Sequence, residues 1–420
     1  MKKIALLSIA VFLNATTISE LFDAIKTTPD YQLDEVMVKE MKINKQSVVN
    51  SLYPKVSIVG SVEHFNIYNS VIPITPTESA KLMATNSDLP FSQNIARIGV
   101  DFSMPLFIKS IYDNKNKMEK LLSATKYQSK IDFLKKEALI VGYVSKLNYL
   151  FSLKKALNKQ YQSINTTLKA LKVEVDVGRI PEFKLLRLKD SLNQIKIKLS
   201  NIKQNIDEIK SNIYKLTKIY IDKIEINSEN IIEKGEFISL KPLKEKLKAD
   251  EYDIKSKKDS FIPKIIFQIK ANRSYAKAYN TENDISEDFA SAGIYLSWDI
   301  FNKKNSSEIQ KAKINFLKTK LTIAKTKKDL TAEILKINNL LNEVSNQIKL
   351  TKENIKLKEE LLKGAKVAFE LNRMSVDEYL KYEDDLAKAT SDLASLKATK
   401  NSLKANKALI YGKNFKRIFK

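Results

Sequence analysis

Three segments of the chain alternate between apolar and polar residues, at 96–106, 265–274 and 290–300. A period of two residues is typical of a β-strand that has one apolar and one polar face. A fourth strand alternates less cleanly and is predicted mainly from the internal repeat described below. The predicted strands cover about 55–68, 95–107, 264–279 and 288–301.

In the longest segments that lack helix breakers, apolar residues recur every three or four positions. One such series is Leu330, Ile334, Ile337, Leu341, Val344 and Ile348, and another runs from Leu188 to Ile213. This spacing is typical of a coiled-coil seam. It predicts helices at 20–52, 110–177, 181–218, 243–260, 303–371 and 375–411. At ~1.5 Å per residue, the longest of these helices would reach about 100 Å.

The two halves of the chain repeat one another. Tyr53-Pro54-Lys55 corresponds to Ile262-Pro263-Lys264, 209 residues later. Gly99-Val100-Asp101-Phe102-Ser103 corresponds to Gly293-Ile294-Tyr295-Leu296-Ser297, 194 residues later. The difference of 15 residues falls between the two strands of the first half, which therefore has the longer loop. The repeats are predicted at 20–218 and 243–411, joined by a linker at 219–242.

A helix breaker stands at the same place in each repeat. Val177-Gly178-Arg179-Ile180 matches Leu371-Asn372-Arg373-Met374, again 194 residues apart. Gly178 and Asn372 tolerate the positive φ that a helix C-terminus commonly requires. Pro181 and Ser375 suit the start of the following helix, by fixed φ and by N-capping respectively. We therefore expect a tight turn between two antiparallel helices at each site.

The N-terminus has the pattern of a secretory signal peptide, predicted at 1–19. Lys2 and Lys3 precede the apolar run Ile4 to Leu13, which is followed by small and polar residues. Ten apolar residues are too few to cross a bilayer as a helix, which needs about 20. We expect cleavage near Thr17 or Ser19, and the alternative is a buried N-terminal helix.

Composition excludes several classes of function. The chain has 420 residues and a net charge of +24, with no Cys, one His and eight widely separated Gly. Disulfides, thiol nucleophiles, Cys or multi-His metal sites and glycine-rich nucleotide loops are therefore excluded. No catalytic residue, cofactor or metal site is predicted. The Lys residues are interleaved with Asp and Glu along helices, which disfavours nucleic-acid binding, and the basic tail at 412–420 is expected to be loose.

The predicted strands are long enough to cross a membrane. Strands of 11 to 14 residues reach about 35 to 45 Å at ~3.3 Å per residue, and tilted membrane strands have such lengths. Four strands cannot close a barrel, so several chains would have to share one. The alternative is a soluble four-stranded sheet packed on helices. The residues expected to face lipid are Ile98, Val100, Phe102, Ile294, Leu296 and Trp298, and those expected to face the lumen include Arg97, Lys270 and Arg273.

The doubled order of helix, strand pair, long helix, turn and shorter helix resembles the TolC-like outer-membrane efflux proteins. The motifs that carry the resemblance are Tyr53-Pro54-Lys55 and its repeat, Met104-Pro105-Leu106-Phe107 and Trp298-Asp299-Ile300-Phe301, and the two turns. The resemblance implies a mainly α protein with membrane β-structure, which trimerises into a 12-stranded β-barrel joined to an α-helical barrel. It implies an outer-membrane location extending into the periplasm, and a channel rather than an enzyme.

The same resemblance implies partners and a gate. The partners are a periplasmic adaptor protein, contacting the turns at Gly178, Arg179, Asn372 and Arg373, an inner-membrane pump of RND or ABC type, and outer-membrane lipid. The gate residues of the family fall on Arg373 and Asp377.

A second acidic gate position of the family is Leu380 in this chain. Glu378, or Glu383, Asp384 and Asp385 one turn on, would supply the missing charge. The alternative is that Asp377 and Glu378 simply favour the first turn of a helix.

Two functions remain open from the sequence. The first is the channel of a tripartite efflux or type I secretion system. The second is an exported coiled-coil scaffold or adhesin with a small β-sheet.

Overall fold

The computed structural model describes residues 17–226, 228 and 231–420. Most of the predicted signal peptide therefore lies outside the described residues. The elements of the first repeat are α1 (Ile18–Ala24), α2 (Pro29–Asn50), β1 (Lys55–Ser70), α3 (Pro76–Ala84), β2 (Phe91–Phe107), α4 (Lys109–Asp176) and α5 (Glu182–Thr217). Those that follow are α6 (Leu240–Lys258), β3 (Lys264–Lys277), β4 (Asp284–Ser297), α7 (Lys303–Glu370), α8 (Val376–Ile410) and α9 (Phe415–Ile418). Among the described helices, none combines the length and apolar content needed to span a bilayer.

The four strands form one antiparallel sheet in the order β1-β2-β3-β4. Residues paired directly across an antiparallel sheet lie on the same face, so the register assigns each side chain to a face. One face is mostly apolar, with Val56, Ile58, Val62, Ile98, Val100, Phe102, Phe267, Ile269, Ile294 and Leu296. The opposite face is mostly polar, with Ser57, Ser61, Glu63, Arg97, Asp101, Gln268, Lys270, Asn272 and Ser291.

The register reproduces the internal repeat residue for residue. Lys55 pairs with Ser103 in the first repeat, and Lys264 pairs with Ser297 in the second. These pairs are related by the two sequence offsets, 209 for the first strand and 194 for the second. The additional residues of the first repeat lie in the loop between β1 and β2, which contains α3.

Strand β4 ends earlier than the alternation predicts. It covers Asp284–Ser297 instead of 288–301, because the hairpin with β3 begins at the pair Lys277 and Asp284, directly after the turn. Trp298 therefore lies one residue beyond the strand. The first residues of β4 are mostly polar, so the alternation of apolar residues did not predict that the strand begins at Asp284.

The contacts divide the chain into two compact units. One contains residues up to Met37, Lys126–Lys241 and Ile323–Lys420, and the other contains Val38–Thr125 and Pro242–Thr322. The sheet belongs to the second of these. The core of the first includes the seam predicted on α5, whose buried members are Leu188, Leu192, Ile195, Ile202, Ile206, Ile209 and Ile213.

The helix expected at 20–52 is divided in two. Helix α1 continues into a single 3₁₀ turn at Ile25–Thr27, and α2 starts at Pro29. Thr28 is extended, with ψ of 150°, as expected of a residue that precedes proline. The break separates a short buried helix from a long one that has no buried residue.

The C-terminal tail is not loose, which corrects the sequence-based expectation. Phe415, Ile418 and Phe419 are buried, and the ring of Phe415 meets that of Phe22 on α1 edge to face at 6.1 Å. Lys416 Nζ lies 2.6 Å from a carboxylate oxygen of Asp23. The apolar residues at 415, 418 and 419 fold the tail onto the first helix, although its net charge suggested solvent exposure.

Candidate functional site

Both helix turns have the expected left-handed residue. Gly178 has φ of 74° and Asn372 has φ of 57°, which confirms the prediction made from their residue types. In each turn the next amide donates to a carbonyl five residues back, from Arg179 to Glu174 and from Arg373 to Ala368. The two turns therefore have the same backbone geometry, as the repeat requires.

The start of α8, where the gate was expected, is a capping box. Ser375 Oγ accepts from the amide of Glu378 at 3.2 Å, and Glu378 Oε2 accepts from the amide of Ser375 at 2.9 Å. These hydrogen bonds, from the backbone first and the hydroxyl second, lower the pKa of Glu378. The carboxylate of Glu378 is thus engaged by its own helix, which supports the capping role weighed for it.

Asp377 has a partner that the sequence did not reveal. Arg187 Nη2, on α5, lies 3.4 Å from Asp377 Oδ2, and both side chains are largely exposed. This contact joins the starts of the two shorter helices. Within the described residues, Arg373 makes no ion pair, and no hydrogen bond or ion pair joins the side chains of Arg373, Asp377 and Glu378 to one another.

The other carboxylates considered for the gate are also engaged within the chain. Asp384 accepts a hydrogen bond from Gln160, and Asp385 forms an ion pair with Lys358 at 3.1 Å. Leu380, at the position where the family has an acid, packs against the core.

Glu383 is the most deeply buried of these acids, with 4% of its surface exposed. Its Oε1 accepts from the hydroxyl of Tyr379 at 2.7 Å and from that of Ser163 on α4. Burial raises the pKa of Tyr379 to about 12, and its ring stacks on Phe369 with centroids 4.9 Å apart. A buried polar network therefore holds the first turns of α8 against α4, close to the turn at Asn372.

Five of the six residues expected to face lipid share the apolar face of the sheet. They are Ile98, Val100, Phe102, Ile294 and Leu296. Trp298, the sixth, lies beyond β4, and its indole N–H donates to the carbonyl of Phe261 at 2.8 Å. An exposed indole anchored in this way is typical of a residue at a membrane interface.

The polar face carries two of the three basic residues expected there. Arg97 forms an ion pair with Glu63, and Lys270 lies opposite Asp101. Arg273 lies on the other face, where it pairs with Asp288 at 2.6 Å, so its assignment to the lumen was wrong. Positions 270 and 273 differ by an odd number, and adjacent strand positions point to opposite faces.

The loops that follow β1 and β3 are held together. Asn280 Oδ1 accepts from the amide of Leu89 at 2.8 Å, and its Nδ2 donates to the carbonyl of Ser87 at 3.0 Å. Asp88 accepts from Thr281 and Asn283. The two repeats are thus joined at this end of the sheet by side chains as well as by strand pairing.

No group of His, Cys, Asp and Glu that could hold a metal ion occurs among the described residues. Residues 239–408 match the family model described as outer membrane efflux protein. The match covers 170 of the 420 residues and lies almost entirely in the second repeat. No curated protein sequence matches the chain.

Solved structures share this fold over nearly the whole chain. VceC from Vibrio cholerae is 13% identical, with 95% of this chain and 96% of that chain covered and a TM-score of 0.78. CmeC from Campylobacter jejuni is 15% identical, with 94% and 85% covered and a TM-score of 0.76. MtrE from Neisseria gonorrhoeae, solved in an open state, is 12% identical, with 94% and 89% covered and a TM-score of 0.71.

The family resemblance inferred from the motifs is therefore confirmed. The matched family is one of outer membrane efflux proteins, and the solved structures with this fold include outer membrane channels.

Proposed function

We propose that the chain is an outer-membrane channel that extends into the periplasm and acts as a homotrimer, forming the exit duct of a tripartite efflux or type I secretion system. The observation that carries the proposal is the sheet, which has four strands, one apolar face and two outer edges. Unpaired strand edges are not tolerated in lipid. Three copies supply twelve strands, enough to close a barrel, whereas four are too few.

The helix turns are proposed to meet a periplasmic adaptor protein. Each turn exposes an apolar side chain beside its left-handed residue, Val177 in the first repeat and Leu371 in the second. Exposed apolar groups next to Gly178, Arg179, Asn372 and Arg373 offer the contact area that a docking partner needs. An inner-membrane pump of RND or ABC type would supply the energy, through the adaptor.

The periplasmic gate is proposed at Arg373 and Asp377. The Asp377–Arg187 contact supports this placement, because it links the two hairpins of one protomer at the turns. Three copies of an acidic residue around a threefold axis repel one another, and a basic partner offsets that repulsion. Glu378 is the weaker candidate for this role, because its carboxylate already caps its own helix.

The gate is tested by single-channel conductance in planar bilayers. The variant Arg373→Ser with Asp377→Ser is expected to conduct more than the wild type, because Arg187 loses its contact with Asp377 and the turn loses the charge of Arg373. The matched control is Asp392→Ser with Lys397→Ser, an exposed pair further along α8. A conductance equal to that of the wild type would overturn the gate assignment.

The exported scaffold or adhesin is the second candidate. Heat-modifiable trimers in outer-membrane fractions would support the duct, and a soluble periplasmic pool would support the scaffold. The family match favours the duct.

A further inference from the structure

The outer strands of the sheet each have one free edge. Within the described residues, β1 pairs only with β2, and β4 pairs only with β3. If the proposed homotrimer forms, β4 of one copy must pair with β1 of the next, and the following inference rests on that assembly. The internal repeat provides the register of this missing pairing.

The pairing between β2 and β3 is the template. It joins the second strand of one repeat to the first strand of the next, as the contact between copies would. Within the chain, the residue pairs of the β1–β2 hairpin and those of the β3–β4 hairpin are related by two constant offsets, 209 for the first strand and 194 for the second. In the template, Ser103 of β2 lies opposite Gln268 of β3. Adding 194 to the residue number in β2 gives Ser297 of β4, and subtracting 209 from the residue number in β3 gives Val59 of β1. Ser297 of one copy would therefore lie opposite Val59 of the next.

We propose that β4 pairs with β1 of the next copy in this register. Asp101 opposite Lys270 becomes Tyr295 opposite Ser61, and Gly99 opposite Asn272 becomes Gly293 opposite Glu63. The partner of this surface is a second copy of the chain.

The faces of the sheet agree with this register. Ile294, 68% exposed, would lie against Val62, 88% exposed, and both belong to the apolar face. Tyr295 and Ser61 both belong to the polar face. A shift by one residue would place Ile294 opposite Ser61 or Glu63 and would mix the two faces.

The space around Gly293 agrees with the same register. At Gly99, a Cβ would lie 2.5 Å from the carbonyl oxygen of Ala271 and 2.7 Å from Cβ of Asn272, so the close approach of β3 requires glycine there. At Gly293, the three atoms nearest to a Cβ would all belong to the side chain of Tyr295, the first at 3.2 Å, and no backbone atom is among them. The protomer itself therefore does not require glycine at 293. In the proposed register, Val62 and Glu63 of the next copy take the places of Ala271 and Asn272.

The absence of Cys allows a direct test. Ser61→Cys with Tyr295→Cys is expected to give covalent dimers and trimers on oxidation in detergent, because paired strand residues have Cα atoms about 4.5–5.5 Å apart, within reach of a disulfide. Within one chain these positions lie on opposite edges of the sheet, three strand spacings or about 14 Å apart across the strands at ~4.8 Å per strand. Ser61 is moreover aligned with Glu287, and Tyr295 lies eight residues further along β4, about 26 Å at ~3.3 Å per residue, so an internal bond cannot form.

Two control variants calibrate the experiment. Asp101→Cys with Lys270→Cys is expected to form a bond within one chain, since it reproduces the template pair. Ser57→Cys with Tyr295→Cys is displaced by four residues, about 13 Å along the strand, and is expected to give no crosslink. Crosslinking of the displaced pair instead of Ser61 and Tyr295 would overturn the register.

A second variant pair tests the glycine. Gly293→Val is expected to leave a folded protomer and to lose the trimer, measured by native mass in detergent. Ser291→Val is the matched control, because Ser291 corresponds to Arg97, a large side chain that the template accommodates. Two results would overturn the register and leave the proposed function standing. One is a stable trimer with Gly293→Val. The other is a Ser61→Cys, Tyr295→Cys variant that forms trimers but gives no crosslink on oxidation. A wild-type protein that stays monomeric would instead overturn the trimer itself.

Discussion

Replacing Glu137 with glutamine is expected to remove a pH-dependent destabilisation of the first unit. Glu137 lies on α4 and is 4% exposed. Burial raises its pKa from 4.5 to about 7; Lys26 and Lys416 partly oppose the shift, and Asp23 adds to it. The ammonium groups of Lys26 and Lys416 lie 3.5 and 2.6 Å from carboxylate oxygens of Asp23, so both lysines form their ion pair with Asp23.

The magnitude follows from the two pKa values. A difference of 7 minus 4.5, or 2.5 units, corresponds to about 3.4 kcal/mol at ~1.36 kcal/mol per unit. The raised pKa means that the charged form is the unfavourable one in the folded state. Below pH 4.5 both states are protonated and there is no cost; the cost grows up to about pH 7 and is complete above it. Between pH 5 and pH 8 the folded state should lose about 2.5 kcal/mol.

The assay is thermal unfolding in detergent at pH 5 and pH 8, followed by circular dichroism. Glu137→Gln is expected to be more stable than the wild type at pH 8 and nearly equal to it at pH 5. Asp176→Asn, which removes an exposed carboxylate from the end of the same helix, is the control. If the wild type and Glu137→Gln lose the same stability between the two pH values, Glu137 is not the buried charge responsible.

Three other predictions concern the ends of the chain and the polar network. Phe415→Ala should lower the free energy of unfolding by about 3–5 kcal/mol, because it removes a buried ring from the contact with α1; an unchanged melting temperature would contradict this. Tyr379→Phe should cost about 1–3 kcal/mol, because buried Glu383 loses a hydrogen-bond donor, and denaturant titration with Tyr382→Phe as control measures it. The exported chain should begin no later than Thr17, whose side chain caps α1; an intact mass that corresponds to cleavage after Ser19 would refute this.

The elements of the fold could largely be predicted from sequence because their signals are local. Alternation located three strands, heptad spacing located the long helices, and Gly178 and Asn372 marked the turns. The internal repeat supplied the strand that alternation missed, at 55–68. The two offsets, 209 and 194, also implied that both hairpins have the same register, although they did not give the paired residues themselves.

Contacts between distant residues could not be predicted in this way. Arg187 and Asp377 are 190 positions apart, and Ser163 and Glu383 are 220 apart. Neither pair has a local pattern that distinguishes it from the many other charged and polar residues on the same helices. The burial of the tail was not predicted, because its many basic residues suggested solvent exposure and only three of its residues are strongly apolar and buried.

The tail has a consequence for the order of folding. Phe415 and Phe419 cover a helix that is among the first parts of the chain to leave the ribosome. That helix also packs against α5, but its apolar side is fully covered only once the tail, almost 400 positions later, has been synthesised. A folding intermediate that lacks the tail therefore leaves part of this apolar helix exposed to water. A purification tag fused beside Phe419 would interfere with the last step of folding.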